Sequence, residues 1–228
     1  MEDNIFSKFR ELHKKSMELY AKYNHLSEKD IKRTHLGALS SQITVSALTL
    51  DICYEYCKNH SEEFSKHFNG DTKLIDNYIH NLIQSNVESV LDSVLFQTEL
   101  VLRILYSKLT NGNPSEEKNI NKIISKLYED TENNWKKDEA KIMVLFWTIR
   151  NMIHTGGIYF KKVEGHEVEY KGKIYKFEHQ KSMEFLSEKF HLFDLLFDVL
   201  DSLDYLFDSE IIKNIGFIEH PSFKALEK

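Results

Sequence analysis

Arg150, Asn151 and His154 stand within a few residues of one another in the stretch Phe146-Trp147-Thr148-Ile149-Arg150-Asn151-Met152-Ile153-His154-Thr155-Gly156-Gly157. Read as a helix, this stretch puts Arg150 and His154 about 40° apart and one turn from each other, with Asn151 beside them. The residue types suit phosphate chemistry. RNA cleavage needs a group that moves the proton of the 2′-hydroxyl and a cation on the strained phosphate, which histidine and arginine supply. The alternative is structural, with Arg150 pairing to a carboxylate such as Glu99 and His154 capping carbonyls at the helix end.

The elements that must position these groups are apolar. Phe146, Ile149, Met152 and Ile153 take up much of the remaining circumference, so the spacing predicts a helix buried on most sides and polar along one narrow strip. Gly156-Gly157 supplies a stop, because glycine enters the left-handed C-cap conformation without steric cost. In the last turn the helix dipole favours a protonated imidazole by up to about 1 kcal/mol when exposed, which helps keep a histidine titrating near neutrality.

Arg150-Asn151 followed after two residues by His154, in the last turns of an apolar helix that several long helices precede, resembles the signature of HEPN domains. The resemblance implies an all-α, dimeric, metal-independent ribonuclease of a defence or toxin-type system, acting on RNA with Arg150, Asn151 and His154 as its catalytic groups. It also implies a possible neutralising protein partner. The family pattern has four to six residues between arginine and histidine, whereas three separate Arg150 from His154 here. That shorter spacing keeps open a non-catalytic HEPN-like module binding RNA, nucleotide or a protein partner, and a purely structural helical protein.

Only two prolines and eight glycines interrupt the 228 residues, so long helices are allowed almost everywhere. Periodicity predicts a peripheral helix from Asn4 to about Asn24 and a new start at Ser27 to Asp30. A core helix follows over 31–60, more deeply buried towards its second half. Asn69-Gly70-Asp71 turns into a third helical region, with a break expected near Ser85-Asn86, in which Glu99 and Arg103 are spaced for an ion pair. Asn113 and Pro114 read as the cap and first residue of a short helix to about Asp130, ahead of the motif helix from Trp135 to Thr155. Short aromatic and β-branched runs over 158–178 predict a β-hairpin insertion that is an appendage. A last helix spans 181–208, and 210–228 reads as an irregular tail. The expectation is a single all-α domain over 1–228, a bundle of five to six helices.

The net charge of −6 lies wholly after Ser182, where ten carboxylates face four lysines; the rest is balanced, so a surface facing RNA around Arg150 need not be repulsive. Asp194, Asp198, Asp201 and Asp208 trace one helical face, favoured as solvated over a metal or basic-partner surface. Cys53, Cys57 and His60 lack a second ligand pair at zinc spacing and read as buried thiols rather than a metal site. His166 and His179 are expected to be exposed. Neither a phosphate-binding glycine loop nor a dinucleotide fingerprint is present, so no cofactor is expected. The charged start and the lack of an uninterrupted apolar run lead to the expectation of a cytoplasmic protein with no membrane contact.

Overall fold

The computed structural model describes residues 2–114, 116–130, 135–153, 155, 158–160, 165–182 and 189–226. It is an all-α bundle with one small antiparallel sheet. Six helices have eight residues or more: α1 (Glu2–Lys22), α2 (Ile31–Asn59), α4 (Thr72–Thr110), α5 (Ile120–Leu127), α6 (Asp138–Ile153) and α7 (Lys189–Asp208). Among the described residues three shorter ones join them, α3 (Ser61–His67), α8 (Glu210–Lys213) and α9 (Pro221–Leu226). β1 (His166–Tyr170) and β2 (Lys173–Phe177) lie between α6 and α7.

Side-chain caps start α2, α4 and α5. Asp30 accepts from the Lys32 amide to start α2, and Asp71 accepts from the amides of Lys73 and Leu74 to start α4. α4 then continues unbroken through Ser85-Asn86 for 39 residues, about 58 Å at 1.5 Å per residue. It ends where Asn111 adopts a left-handed backbone, φ 53°. The helix expected at Pro114 does not form. Arg103 Nη1 takes the carbonyl of Glu117, and the Glu117 carboxylate accepts from the Asn119 amide, so 116–119 are held as a non-helical strap. Asn119 is the true cap of α5, accepting from Asn121. The motif helix likewise starts late, because Asp130 accepts from the amides of Lys136 and Lys137 and holds them outside the helix.

Two other expectations are corrected by packing. The second half of α2 is the less covered one: Val45, Leu48, Ile52 and Tyr56 are exposed, because α1 and α4 cover two sides and nothing described covers the third. Over Ile31–Cys57 α2 is long and apolar enough to cross a membrane, with 39% of its most apolar window buried within this fold. The hairpin is no appendage either. Val168, Tyr170, Tyr175 and Phe177 alternate inward from β1 and β2 and belong to the main core, against α6. Its turn is Lys171-Gly172, both at positive φ, which a two-residue hairpin requires. His166 and His179 are half-buried, on the rings of Phe177 and Phe160. The tail carries α8 and α9 and is tied down by the Ile218 carbonyl, which accepts from the Ile31 amide.

The acidic face of α7 meets α1 instead of bulk water alone. Lys8, Lys15 and Lys22 recur every seven residues and reach Asp194, Asp201 and Asp208, which also recur every seven, at 2.6, 2.6 and 2.5 Å. Equal steps on both helices mean that α1 and α7 run side by side in the same direction. Such exposed pairs are worth at most about 1 kcal/mol each. They fix register, while Phe9 on Phe193, ring centroids 4.6 Å apart, and the buried Ile5, Leu12, Leu196 and Leu203 supply the adhesion.

His35, on α2, is 2% exposed, lies edge-on to Phe207 and has no hydrogen-bond partner on Nε2. Burial, with a contribution from nearby His220, pushes its pKa down to about 3. The unfolded imidazole takes its proton near pH 6.5, so this stabilisation is complete above pH 6.5 and is lost as pH falls towards 3. Urea unfolding at pH 7.5 and pH 5.0 is expected to show a loss of about 2 kcal/mol in the wild type and less than half of that in His35→Leu. Equal losses in the two proteins would contradict the assignment.

Candidate functional site

α6 is enclosed by α4, α5, α7 and β1. Ala140, Ile142 to Trp147, Ile149 and Met152 are buried, so beyond Asp138, Glu139 and Lys141 at its start the helix offers polar groups at its C-terminal turns only. Arg150 and Asn151 emerge there together, with Arg150 Nη1 donating to Asn151 Oδ1 at 3.4 Å. His154 lies outside the described residues, as do Gly156 and Gly157. The helix end is held by Thr155, whose amide donates to the Met152 carbonyl at 2.9 Å and whose hydroxyl reaches the Asn151, Met152 and Ile158 carbonyls.

Arg150 faces an open cleft of about 450 Å³ whose lining includes Glu99, Arg103, Lys118, Asn119, Asn121 and Asn151. Its guanidinium lies over the buried Trp147 ring, 5.6 Å from the centroid, a cation–π contact. The ion pair expected between Glu99 and Arg103 forms at 2.8 Å, and Glu99 also lies 3.9 Å from Arg150 Nη2. Both readings of Glu99 therefore hold at once, and the distances decide their weight. Arg103 holds one carboxylate oxygen tightly, while Arg150 sits at the outer limit of ion pairing and is 32% exposed.

The strap 116–119 closes the opposite wall. Arg103 Nη1 holds the Glu117 carbonyl at 2.5 Å, and Lys122 holds the Glu117 carboxylate at 2.8 Å. Hydrogen bonds from Lys122 and then from the Asn119 amide keep that carboxyl below its ordinary pKa. Lys118, between these anchors, is exposed and has no ion-pair partner among the described residues. Among the described residues the cleft thus gathers Arg103, Lys118 and Arg150 from three separate segments against the single carboxylate of Glu99, a local excess of positive charge on a chain of net charge −6.

An anionic oxygen in this cleft meets geometry suited to it. A hydrogen bond to a charged group is worth about 1.5–3 kcal/mol net, more than a 3.9 Å contact with a carboxylate already engaged elsewhere. Arg150 can therefore turn to a phosphate without leaving Glu99 unpaired. A larger groove of about 620 Å³ lies between the end of α4 and the tail, but its lining, from Leu109, Ile211, Ile215, Phe217 and Ile218 with one lysine and one glutamate, gathers no charge of one sign. Among the described residues no three His, Cys, Asp or Glu come together as a metal-binding group. Cys53 and Cys57 are half-buried free thiols, and burial, helped by Cys53, pushes the Cys57 pKa up.

Of the site residues read from the sequence, Arg150 and Asn151 line one cleft, His154 lies outside the described residues, and Arg103, Lys118, Asn119 and Asn121 are cleft residues that the sequence reading does not name. A signal for Arg103 existed, since Glu99 was named as a partner for both arginines. For the strap there was none, because a local capping pattern at Asn113-Pro114 pointed to a helix. No protein-family model, curated protein or solved structure matches this chain.

The unequal hold on Glu99 gives a stability test. Arg150→Ala is expected to change stability by less than about 1 kcal/mol, a shift in Tm of about 2–4 °C at most. Arg103→Ala, which strips both Glu99 and the Glu117 carbonyl of a donor, is expected to cost about 1–3 kcal/mol. Thermal unfolding in which Arg150→Ala is the more damaging change would show that Arg150 is a structural ion pair.

Proposed function

We propose that this protein is a metal-independent endoribonuclease of a defence or toxin-type system, resembling HEPN domains, and that the Arg150 cleft binds the phosphodiester to be cut. The observation that carries this reading is the convergence of Arg150, Arg103 and Lys118 on one open cleft whose lone carboxylate among the described residues is already held by Arg103. A single engaged carboxylate is a poor magnesium ligand set, so the nucleophile nearest to hand is the substrate's own 2′-oxygen. Its attack is intramolecular and entropically favoured. The bond from O2′ to phosphorus forms, the bond to the leaving 5′-oxygen breaks, and a 2′,3′-cyclic phosphate remains.

Arg150 stabilises the charge that grows on the phosphate oxygens. Asn151 orients it: the amide oxygen accepts from Arg150, which leaves the NH₂ to donate to the substrate. His154 is assigned the proton transfers on the sequence alone, taking the 2′-proton or protonating the leaving oxygen. One protomer offers one such histidine, so a homodimer that joins two clefts would supply both acid and base. In this reading the two clefts are joined through the C-terminal turn of α6, the part of that helix that reaches the cleft. Sedimentation at micromolar concentration tests this pairing. Action in the cytoplasm, and restraint by a neutralising protein partner, belong to the same proposal.

A second reading has its own observation. The cation–π contact of Arg150 with Trp147 and its 3.9 Å approach to Glu99 give the guanidinium partners within the chain, which suits a non-catalytic module that binds RNA, nucleotide or a protein partner. Cleavage separates the two. An RNA oligomer is expected to be cut in excess EDTA with a cyclic-phosphate end, at a rate that falls at least about 100-fold in Arg150→Ala and in His154→Ala. A substrate with one 2′-deoxy substitution at the cut site is expected to resist. Equal cleavage of that substrate, or an absolute need for magnesium, would leave the binding module as the better account.

A further inference from the structure

Ser41, Val45, Leu48, Ile52, Tyr56 and Asn59 form a strip along α2 that no described element covers. Successive members are three or four residues apart, so all six fall within about 80° of one another on the helix and span about 27 Å. All are exposed, the four apolar ones by more than half. α1 lies along one flank of α2, where Arg10 pairs with Asp51 and His13 meets the Thr44 hydroxyl at 2.9 Å. α4 packs on another side. A single apolar side chain in water is ordinary, whereas four in line on one helix mark a surface that another molecule covers.

The residue types in the strip say what covers it. No Asp, Glu, Lys or Arg occurs from Thr34 to Leu50. Beyond that stretch Asp51 is already held by Arg10 at 3.0 Å, and Glu55, at the edge of the strip, accepts from Asn59 at 3.3 Å. Val45 and Ile52 are β-branched and seven residues apart with Leu48 between them, the choice of seam residues that favours two parallel strands in a coiled coil. Flanking charges are what select a foreign partner in such a seam. With none free here, two copies of the strip meet without repulsion, and nothing favours a different helix. We propose that the strip docks on the same strip of a second copy of this chain, the two α2 helices running parallel, so that Val45 meets the partner's Val45 and Ile52 the partner's Ile52. A strip about 27 Å long and about 10 Å wide falls short of the roughly 800 Å² that each partner buries in a standard interface. The flanking faces of α1 and α4 therefore join the contact, and the dimer comes apart on dilution. α2 is also long and apolar enough to cross a membrane, but its other sides are committed to α1 and α4. The strip shares no residue with the lining of the Arg150 cleft, so the seam stands whether or not that cleft binds a phosphodiester.

The test uses the full chain. Sedimentation across a dilution series is expected to show reversible association that Leu48→Glu weakens at least about 100-fold, because it sets two like charges against each other in the seam. Leu48 is exposed in one protomer, so thermal unfolding of the dilute variant is expected to match that of the dilute wild type. In a background of Cys53→Ser and Cys57→Ser, Val45→Cys and Ile52→Cys, each on its own, are expected to give a disulfide-linked dimer on mild oxidation, since a parallel seam brings like residues within reach of a disulfide. Lys126→Cys, exposed on α5, is expected to give none. A wild type that stays monomeric throughout the series overturns the proposal. Association that survives Leu48→Glu belongs to the end of α6 or to another face, and it overturns the proposal too. So does failure of either seam cysteine to link: a link through Ile52→Cys without one through Val45→Cys would mark an antiparallel pair. Linking of Lys126→Cys to the same extent would mean chance collision and equally contradict the seam.

Discussion

Arg103, on α4, ties the strap that precedes α5 to the wall of the cleft that α4 forms. Its Nε fastens Glu99 on α4 and its Nη1 fastens the Glu117 carbonyl in the strap. The first contact satisfies the one carboxylate in the cleft, which would otherwise be drawn to Arg150. The second holds the strap out of helical geometry and brings Lys118 into the lining. Both consequences come from a planar cation with donors in a fixed fork, a task that a lysine could not perform at both places.

The surrounding fold exists to keep the end of α6 in place. Enclosure on nearly every side means that α6 cannot shift along its axis without dragging buried Phe146, Ile149 and Met152 through a packed core. The hairpin closes one side with an apolar inner face. Ser202 on α7 donates to the Glu139 carbonyl in the first turn of α6 and meets the Tyr128 hydroxyl at 2.8 Å, so the start of the helix is fixed by a buried polar contact. The ladder of Lys8, Lys15 and Lys22 against Asp194, Asp201 and Asp208 sets how far along α7 the helix α1 can sit. It also draws the acidic C-terminal portion into ion pairs, away from the cleft.

What could be read from sequence divides along the same physical line. Caps at Asp30 and Asp71, the turn at Lys171-Gly172 and the Glu99–Arg103 pair depend on neighbours in the chain, and they were legible. So was the apolar circumference of the motif helix, where Phe146, Ile149 and Met152 are buried. The strap was not, because the guanidinium that overrides the Asn113-Pro114 signal sits 14 residues away from the carbonyl it takes. The heptad match between α1 and α7 was present as spacing in both segments but joins residues 186 apart. The exposure of the second half of α2 was invisible for a related reason: an apolar circumference states what a helix could bury and not how many neighbours arrive.

The claim at the centre of this account is that Arg150 and Lys118 neutralise phosphates of a single strand. Salt dependence measures that directly. Each phosphate neutralised adds about −0.7 to the slope of log K against log salt for a single strand, so three cations predict a slope of about −2. Titrations of an uncuttable 2′-O-methyl oligonucleotide from 50 to 300 mM salt are expected to give that slope in the wild type, and one shallower by about 0.7 in each of Arg150→Gln and Lys118→Gln. A slope unchanged by either substitution would mean that the backbone binds elsewhere and that the cleft around Arg150 has another purpose.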